Sequence, residues 1–232
     1  MKKFTLFFCA LTLTAFTVAV FLAINALSVP VFASENTLSI VVDAGHGGID
    51  GGVLGVRTKK KESEVNLALA LKLKERLSDA GFSVTLTRKT DAGLYGTTAT
   101  GFKKRDMLKR KEIIEDASPD LVLSVHQNFY PTSSVRGGQA FYKKEDENGK
   151  KLASCVQERL NAFYQTQGVK GRTEAIGDYF VLNATPFVSI IVEYGFLSNP
   201  EDEKLLLSSN GQSSLVSATV AGVLEYFSKQ SA

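Results

Sequence analysis

The chain contains two histidines, His46 and His126, and each follows a short run of apolar residues. His46 comes after the segment SIVVDAG and before two glycines, and His126 comes directly after LVLSV. Such runs predict buried strands, and the carboxyl ends of parallel strands meet at one edge of a sheet. The two imidazoles are therefore expected to lie together, where they could bind zinc. Two core histidines without a ligand role are the alternative.

A third ligand is expected, because catalytic zinc usually takes three protein ligands and leaves one position for water. Glu62 and Glu64 both stand in the first turn of a helix predicted over residues 62–80. Successive residues are about 100° apart around a helix, so Glu64 is rotated by about 200° from Glu62, which is about 160° by the shorter way. The two side chains therefore lie on nearly opposite faces. The face of Glu62 also carries Val65, Leu69, Leu73 and Leu77. A carboxylate on a buried face is costly unless it is paired or binds a metal, so Glu62 is the candidate ligand.

A fourth candidate, Glu193, follows the apolar run VSIIV and precedes Tyr-Gly-Phe. At the end of a buried strand near a metal, its expected role is general base toward water and then acid toward a leaving amine. One alternative is a structural acid that binds backbone or orients a histidine ligand. Another is a glycosidase that uses Glu62 and Glu193 as its two carboxylates, but that function leaves both histidines unexplained.

Strands alternate with helices along the chain, which predicts a single α/β domain with a mostly parallel twisted sheet and helices on both faces. A glycine-rich loop is expected over residues 89–101, and a loop of that length in a compact domain is often functional. The predicted strands cover residues 38–42, 82–87, 121–125, 138–142, 179–182 and 188–192. The predicted helices cover residues 62–80, 102–116, 152–164 and 214–227, and a further helix begins after Asn199 as N-cap, with Pro200 in its first position.

The charge balance argues against a nucleic-acid partner. The chain has 232 residues, 44% hydrophobic and 22% charged, with a formal net charge of +3, and it lacks the basic excess of nucleic-acid-binding proteins. The helix over 102–116 is predicted to carry a basic outer face, either solvated or in contact with an anionic wall polymer. That face comprises Lys103, Lys104, Arg105, Lys109, Arg110 and Lys111.

The N-terminal sequence predicts export. Lys2 and Lys3 precede an uncharged stretch over residues 4–24, and small residues at Val31 and Ala33 suit cleavage after Ala33. Because the stretch could also span a bilayer, an uncleaved membrane anchor is the alternative. Residues 1–33 are thus expected to be a signal peptide or a membrane anchor, and the chain is expected to contact the membrane only through them. Residues 34–232 are expected to be a catalytic domain outside the cytoplasmic membrane.

Four ordered motifs resemble the zinc-dependent N-acetylmuramoyl-L-alanine amidases over about residues 38–227. They are DAGHGG at 43–48, Glu62 with VNL at 65–67, SVHQN at 124–128 and VEYGFLSN at 192–199. The resemblance implies one zinc ion on His46, Glu62 and His126, and Glu193 as the catalytic acid. The implied substrate is peptidoglycan, cut between N-acetylmuramic acid and L-alanine. Gln127 and Phe129 depart from the small residues usual there, which leaves the substrate preference open.

The domain organisation is similar to that of the sporulation-specific spore cortex amidases. An export or anchor segment precedes one catalytic domain, and there are no wall-binding repeats. This similarity implies a role before muramic-δ-lactam formation in cortex maturation and a possible activating lipoprotein partner. A general cell-wall amidase of growth or division is the alternative.

Overall fold

Six strands form one sheet in the computed structural model, which describes residues 37–230. The predicted export segment and cleavage point lie outside these residues. The strands are β1 (Ser39–Ala44), β2 (Ser83–Leu86), β3 (Leu121–Asn128), β4 (Gln139–Tyr142), β5 (Ala175–Ile176) and β6 (Val188–Phe196). The helices are α1 (Glu62–Asp79), α2 (Phe102–Ala117), α3 (Glu147–Gln165), α4 (Phe180–Asn183), α5 (Pro200–Leu207) and α6 (Ser209–Gln230).

The strand order is β2-β1-β3-β6-β4-β5, and only the β4–β6 pair is antiparallel. Strands β1, β3 and β6 form the buried centre of the sheet. On one face, Val41, Val122 and Ile191 of these strands pack with Ile114 of α2 and Leu182 of α4. Helices α1 and α3 also contact the strands, and helix α6 packs against both α1 and α3. The predicted α/β fold with a mostly parallel sheet is confirmed.

The predicted strand over residues 179–182 is wrong. The structure has the two-residue strand β5 just before this segment and the short helix α4 at Phe180–Asn183. A short apolar run does not distinguish a strand from a buried helical turn by its periodicity. Here the helical turn allows the adjacent residues Val181 and Leu182 to enter the same core cluster.

Several elements are longer than predicted, and two of the extensions concern candidate site residues. Strand β3 continues through His126 to Asn128, and β6 continues through Glu193 to Phe196. Both side chains are therefore borne by strands rather than by the loops that follow them. Helix α3 also begins five residues earlier than predicted, because the Asp146 side chain caps it by accepting from the Gly149 N–H.

The start of α5 confirms the predicted cap. The Asn199 side-chain oxygen accepts hydrogen bonds from the N–H groups of Glu201 and Asp202, and Pro200 occupies the first turn. Asp202 in turn accepts from the Phe196 N–H at 3.1 Å. The cap of α5 thereby fixes the end of β6. Within residues 37–230, none of the helices has the length and apolar character needed to cross a membrane.

Candidate metal centre and active-site cleft

The structure brings His46, Glu62 and His126 together at the carboxyl edge of the sheet. His46 follows β1, Glu62 is the first residue of α1, and His126 lies in β3. Glu62 Oε2 is 3.3 Å from His46 Nε2, and Glu62 Oε1 is 3.0 Å from His126 Nδ1. One ligand atom from each residue lies within 4.8 Å of the others. Two imidazoles and one carboxylate at this spacing fit a zinc ion.

The buried carboxylate of Glu62 is held from three sides. Its oxygens accept hydrogen bonds from Val53 N at 3.0 Å, Gln127 N at 3.1 Å and Asn66 Nδ2 at 3.2 Å. Burial opposes its ionisation, but hydrogen bonds and charge attraction from the histidines are stronger and hold the pKa of Glu62 well below its usual range. Its 3% exposure agrees with the predicted helical phase. Glu64, by contrast, is partly exposed and pairs with Lys60.

Asp50 orients His46, a role not predicted from the sequence. Asp50 Oδ2 lies 3.0 Å from His46 Nδ1, which leaves Nε2 facing Glu62. Carboxylates commonly fix the tautomer and ring direction of a metal-binding histidine in this way. Burial lowers the pKa of His46, but Glu62 and Asp50 outweigh it and raise this pKa to about 9. The only sequence signal was an acid four residues after His46, within the glycine-rich turn.

Two glycines let the ligand segments approach one another. A Cβ atom on Gly45 would lie 2.2 Å from Nε2 of His126. A Cβ atom on Gly52 would lie 2.3 Å from Oε2 of Glu62, and the φ of Gly52 is +65°. Larger residues at these positions would displace the ligands themselves.

Buried charges lie directly beneath the turn that carries His46. Arg110 was predicted on the basic outer face of α2, and this is wrong, because it is only 1% exposed. It pairs with Asp43 of β1 and with Asp106, one helical turn earlier. Asp106, Arg110 and Ile114 form an i, i+4, i+8 row that faces inward. That spacing was the available signal for the burial of Arg110.

Glu193 lies opposite His126 in the register of β6 and β3. Its Oε2 atom is buried and has no hydrogen-bond partner among residues 37–230. Burial is the main cause that raises the pKa of Glu193 to about 7, while the charges of His126 and Glu62 act in opposite directions. A carboxyl group with this pKa can both accept and release a proton near neutral pH.

A cavity of about 220 Å³ opens beside these groups. His46, His126 and Glu193 all contribute to its lining. Much of the remaining wall is apolar and is formed by Phe102, Met107, Tyr179, Phe180 and Val181. Ionisable groups beside an apolar wall are typical of a substrate-binding cleft.

The two residues that depart from the expected small side chains occupy different environments. Gln127 is buried, and its Nε2 donates to Asn66 Oδ1 at 3.2 Å. Asn66 in turn donates to both Glu62 and the Gly45 carbonyl. Phe129 is 50% exposed. Of the two, only Phe129 offers its side chain to solvent.

The mostly parallel sheet brings the His₂Glu cluster and Glu193 to one edge, an arrangement that fits a metal-dependent hydrolase. The family described as N-acetylmuramoyl-L-alanine amidase matches residues 40–225. The chain belongs to this family, and it is an enzyme of that type.

Several relatives agree with this assignment. The chain is 31% identical over 192 residues to a germination-specific N-acetylmuramoyl-L-alanine amidase of Bacillus subtilis, covering 82% of this chain and 79% of the relative. It is 27% identical over 229 residues to the amidase AmiA of Escherichia coli, covering 81% and 75%. Among solved structures, the CwlD amidase of Clostridioides difficile in complex with the GerS lipoprotein superposes with a TM-score of 0.77. That match has 33% identity and covers 83% of this chain and 100% of the other.

Proposed function

We propose that this amidase hydrolyses peptidoglycan between N-acetylmuramic acid and L-alanine, using one zinc ion per chain held by His46, Glu62 and His126. Glu193 is the catalytic acid and base. The observation that carries the proposal is the convergence of three ligand-type side chains beside a glutamate whose Oε2 is buried without a hydrogen-bond partner in the described chain. Family membership supplies the class of bond.

The residues fit the proposed chemistry. A zinc ion would polarise the scissile carbonyl and lower the pKa of water toward ~7. Glu62 and the two imidazoles would hold the ion, and Asp50 would keep the proton on Nδ1 of His46. Glu193 would accept a proton from the attacking water at a carboxylate oxygen. It would then deliver this proton to the departing alanine nitrogen, which cannot leave as an anion.

The geometry also bears on the glycosidase alternative. A two-carboxylate glycosidase needs both acids free to act on the sugar. Both oxygens of Glu62 instead contact imidazole nitrogens, and the side chain is almost fully buried. Glu62 is therefore suited to binding a metal rather than to attacking a glycosidic bond.

The experiment that tests the reaction is digestion of purified peptidoglycan, followed by mass spectrometry of the products. We expect free stem peptides that begin with L-alanine, intact glycan strands, and loss of activity in the presence of a chelator. New reducing sugar ends without free peptides would contradict the amidase chemistry and favour the glycosidase.

We further propose that residues 1–33 direct export or anchor the chain, and that residues 34–232 act outside the cytoplasmic membrane. The basic pair and uncharged stretch before residue 34 support this division. Fractionation of cells with antibody detection of the chain tests it, and a chain confined to the cytoplasm would contradict it.

The role in the cell that we propose is spore cortex maturation, in which removal of stem peptides precedes muramic-δ-lactam formation. The germination-specific relative supports this role, and the amidase solved with a lipoprotein supports a lipoprotein as an activating partner of this chain. The test is analysis of cortex muropeptides from spores that lack the chain. Absence of muramic-δ-lactam is expected, whereas an unchanged cortex would favour a general amidase of growth or division.

A further inference from the structure

The backbone of His46 adopts a conformation that favours glycine. Its φ is +58°, in the left-handed region. Residues with a Cβ atom adopt this region only at an energetic cost, and surrounding contacts must maintain it. Because this conformation sets the direction of the imidazole, the groups that hold the His46 backbone also control the candidate ligand.

Arg110 is the side chain that binds the His46 carbonyl. Its Nη2 donates to the carbonyl oxygen of His46 at 2.6 Å, and its Nη1 donates to that of Ala44 at 2.8 Å. The guanidinium is fixed by Asp106 Oδ2 at 2.7 Å and by Asp43 Oδ1 at 2.5 Å. Helix α2 and strand β1 therefore both orient the group that holds the turn.

The planar fork of arginine is needed for this arrangement. One guanidinium donates in several fixed directions at once, whereas a lysine ammonium is a compact charge on a flexible stem. The neighbouring Arg88 binds the carbonyls of Ala44 and Gly45 at 2.8 and 2.9 Å. Of these two arginines, Arg110 is the one that donates to His46 itself.

We propose that Arg110 is a positioning residue that holds His46 in its metal-binding conformation. This inference rests on the zinc site proposed above. Both aspartates pair with the buried guanidinium, so its positive charge is not left unpaired near the proposed site for a cation. The role concerns the direction of the imidazole, and Arg110 itself takes no part in bond cleavage.

The test compares full-length Arg110→Lys with the parent protein and with Val156→Ala. Val156 is fully buried in α3 against Gly222 of α6, so its truncation destabilises the fold away from the turn. Zinc affinity is measured by competition with a chromophoric chelator at a temperature where circular dichroism shows each protein folded. Arg110→Lys should lose zinc affinity by roughly 10-fold to 100-fold, the usual effect of removing support from a metal ligand. Val156→Ala should retain the parental affinity.

A second readout needs no metal. Because the chain has only two histidines, ¹⁵N-histidine labelling yields one pair of ring nitrogen signals for each imidazole. In the zinc-free protein at fixed pH, Arg110→Lys should shift the His46 signals more than those of His126. Equal shifts of both rings, or no shift, would overturn the proposal.

Asp106→Asn is a milder variant for the case in which Arg110→Lys does not fold. It keeps the oxygen that accepts from the Leu94 N–H but removes the carboxylate that fixes Arg110 Nε. We expect a smaller loss of zinc affinity in the same direction. Parental affinity in either folded variant, or an equal loss in Val156→Ala, refutes the positioning role. A parent protein that binds no zinc refutes the proposed metal site instead.

Discussion

His126 and Glu193 are directly opposite each other on the adjacent parallel strands β3 and β6. Residues paired in this way project to the same side of a sheet, and both line the same cavity. The register between β3 and β6 therefore places the candidate metal ligand His126 beside Glu193, the candidate proton carrier. It explains how residues 67 positions apart in sequence can act on one substrate.

The first prediction concerns the ligand set. Alanine at His46, Glu62 or His126 should abolish zinc retention, because each removes one of three converging ligand atoms. Glu64→Ala is the matched control, since Glu64 lies in the same helical turn but pairs with Lys60. Elemental analysis of purified protein measures the outcome. Full zinc occupancy in Glu62→Ala, or its loss in Glu64→Ala, would contradict the assignment.

The second prediction concerns the proton carrier. Glu193→Ala should reduce turnover by roughly 10²-fold to 10⁴-fold, the usual effect of a positioned acid or base. Zinc should stay bound, because Glu193 is not among the clustered ligand atoms. Release of stem peptides and zinc content are measured on the same preparation. Undiminished turnover would remove Glu193 from the mechanism, and loss of zinc would make it a ligand.

The third prediction follows from the pKa of Glu193, which burial raises from 4.5 to about 7. Between these values the folded chain keeps a proton that the unfolded chain releases, so the free energy of unfolding falls as pH rises. The fall is up to about 3 kcal/mol, and it is complete above pH 7. Glu193→Gln should remove this dependence in zinc-free protein.

Urea unfolding at pH 5 and pH 8 in the presence of a chelator measures this effect. At each pH, the free energy of unfolding of the parent is subtracted from that of Glu193→Gln. This difference should be larger at pH 8 than at pH 5, because the parent loses stability as pH rises. The variant comparison is needed because His46, with its pKa raised to about 9, also contributes stability that is lost as pH rises through that value. Glu64→Gln is the control, and an equal difference at both pH values would contradict the expectation for Glu193.

The fourth prediction is that residues 34–232 form a soluble, folded domain without the preceding segment. The residues from Thr37 onward form a compact unit of their own, and the first strand begins at Ser39. Circular dichroism and a cooperative thermal transition of the shortened protein measure the outcome. An insoluble or unfolded product would show that the N-terminal segment is needed for folding.

The sequence alone determined those features that depend on local patterns. Apolar runs marked the central strands that carry His126 and Glu193, and helical phase separated Glu62 from Glu64. Asn199 and Pro200 marked the start of α5 correctly. These signals extend over a few residues, because they arise from the periods of strands and helices and from groups left unpaired at helix ends.

Only the tertiary structure decided how the buried charge of Arg110 is paired and which carbonyl groups it binds. Arg110 belongs to a run of basic residues, but Asp43, 67 residues away, pairs with it beneath the His46 turn. The segment at 180–183 is a helix because its packing against the sheet outweighs its strand-like composition. The pairing of a buried charge depends on partners that the whole fold brings together, and local sequence patterns do not identify those partners.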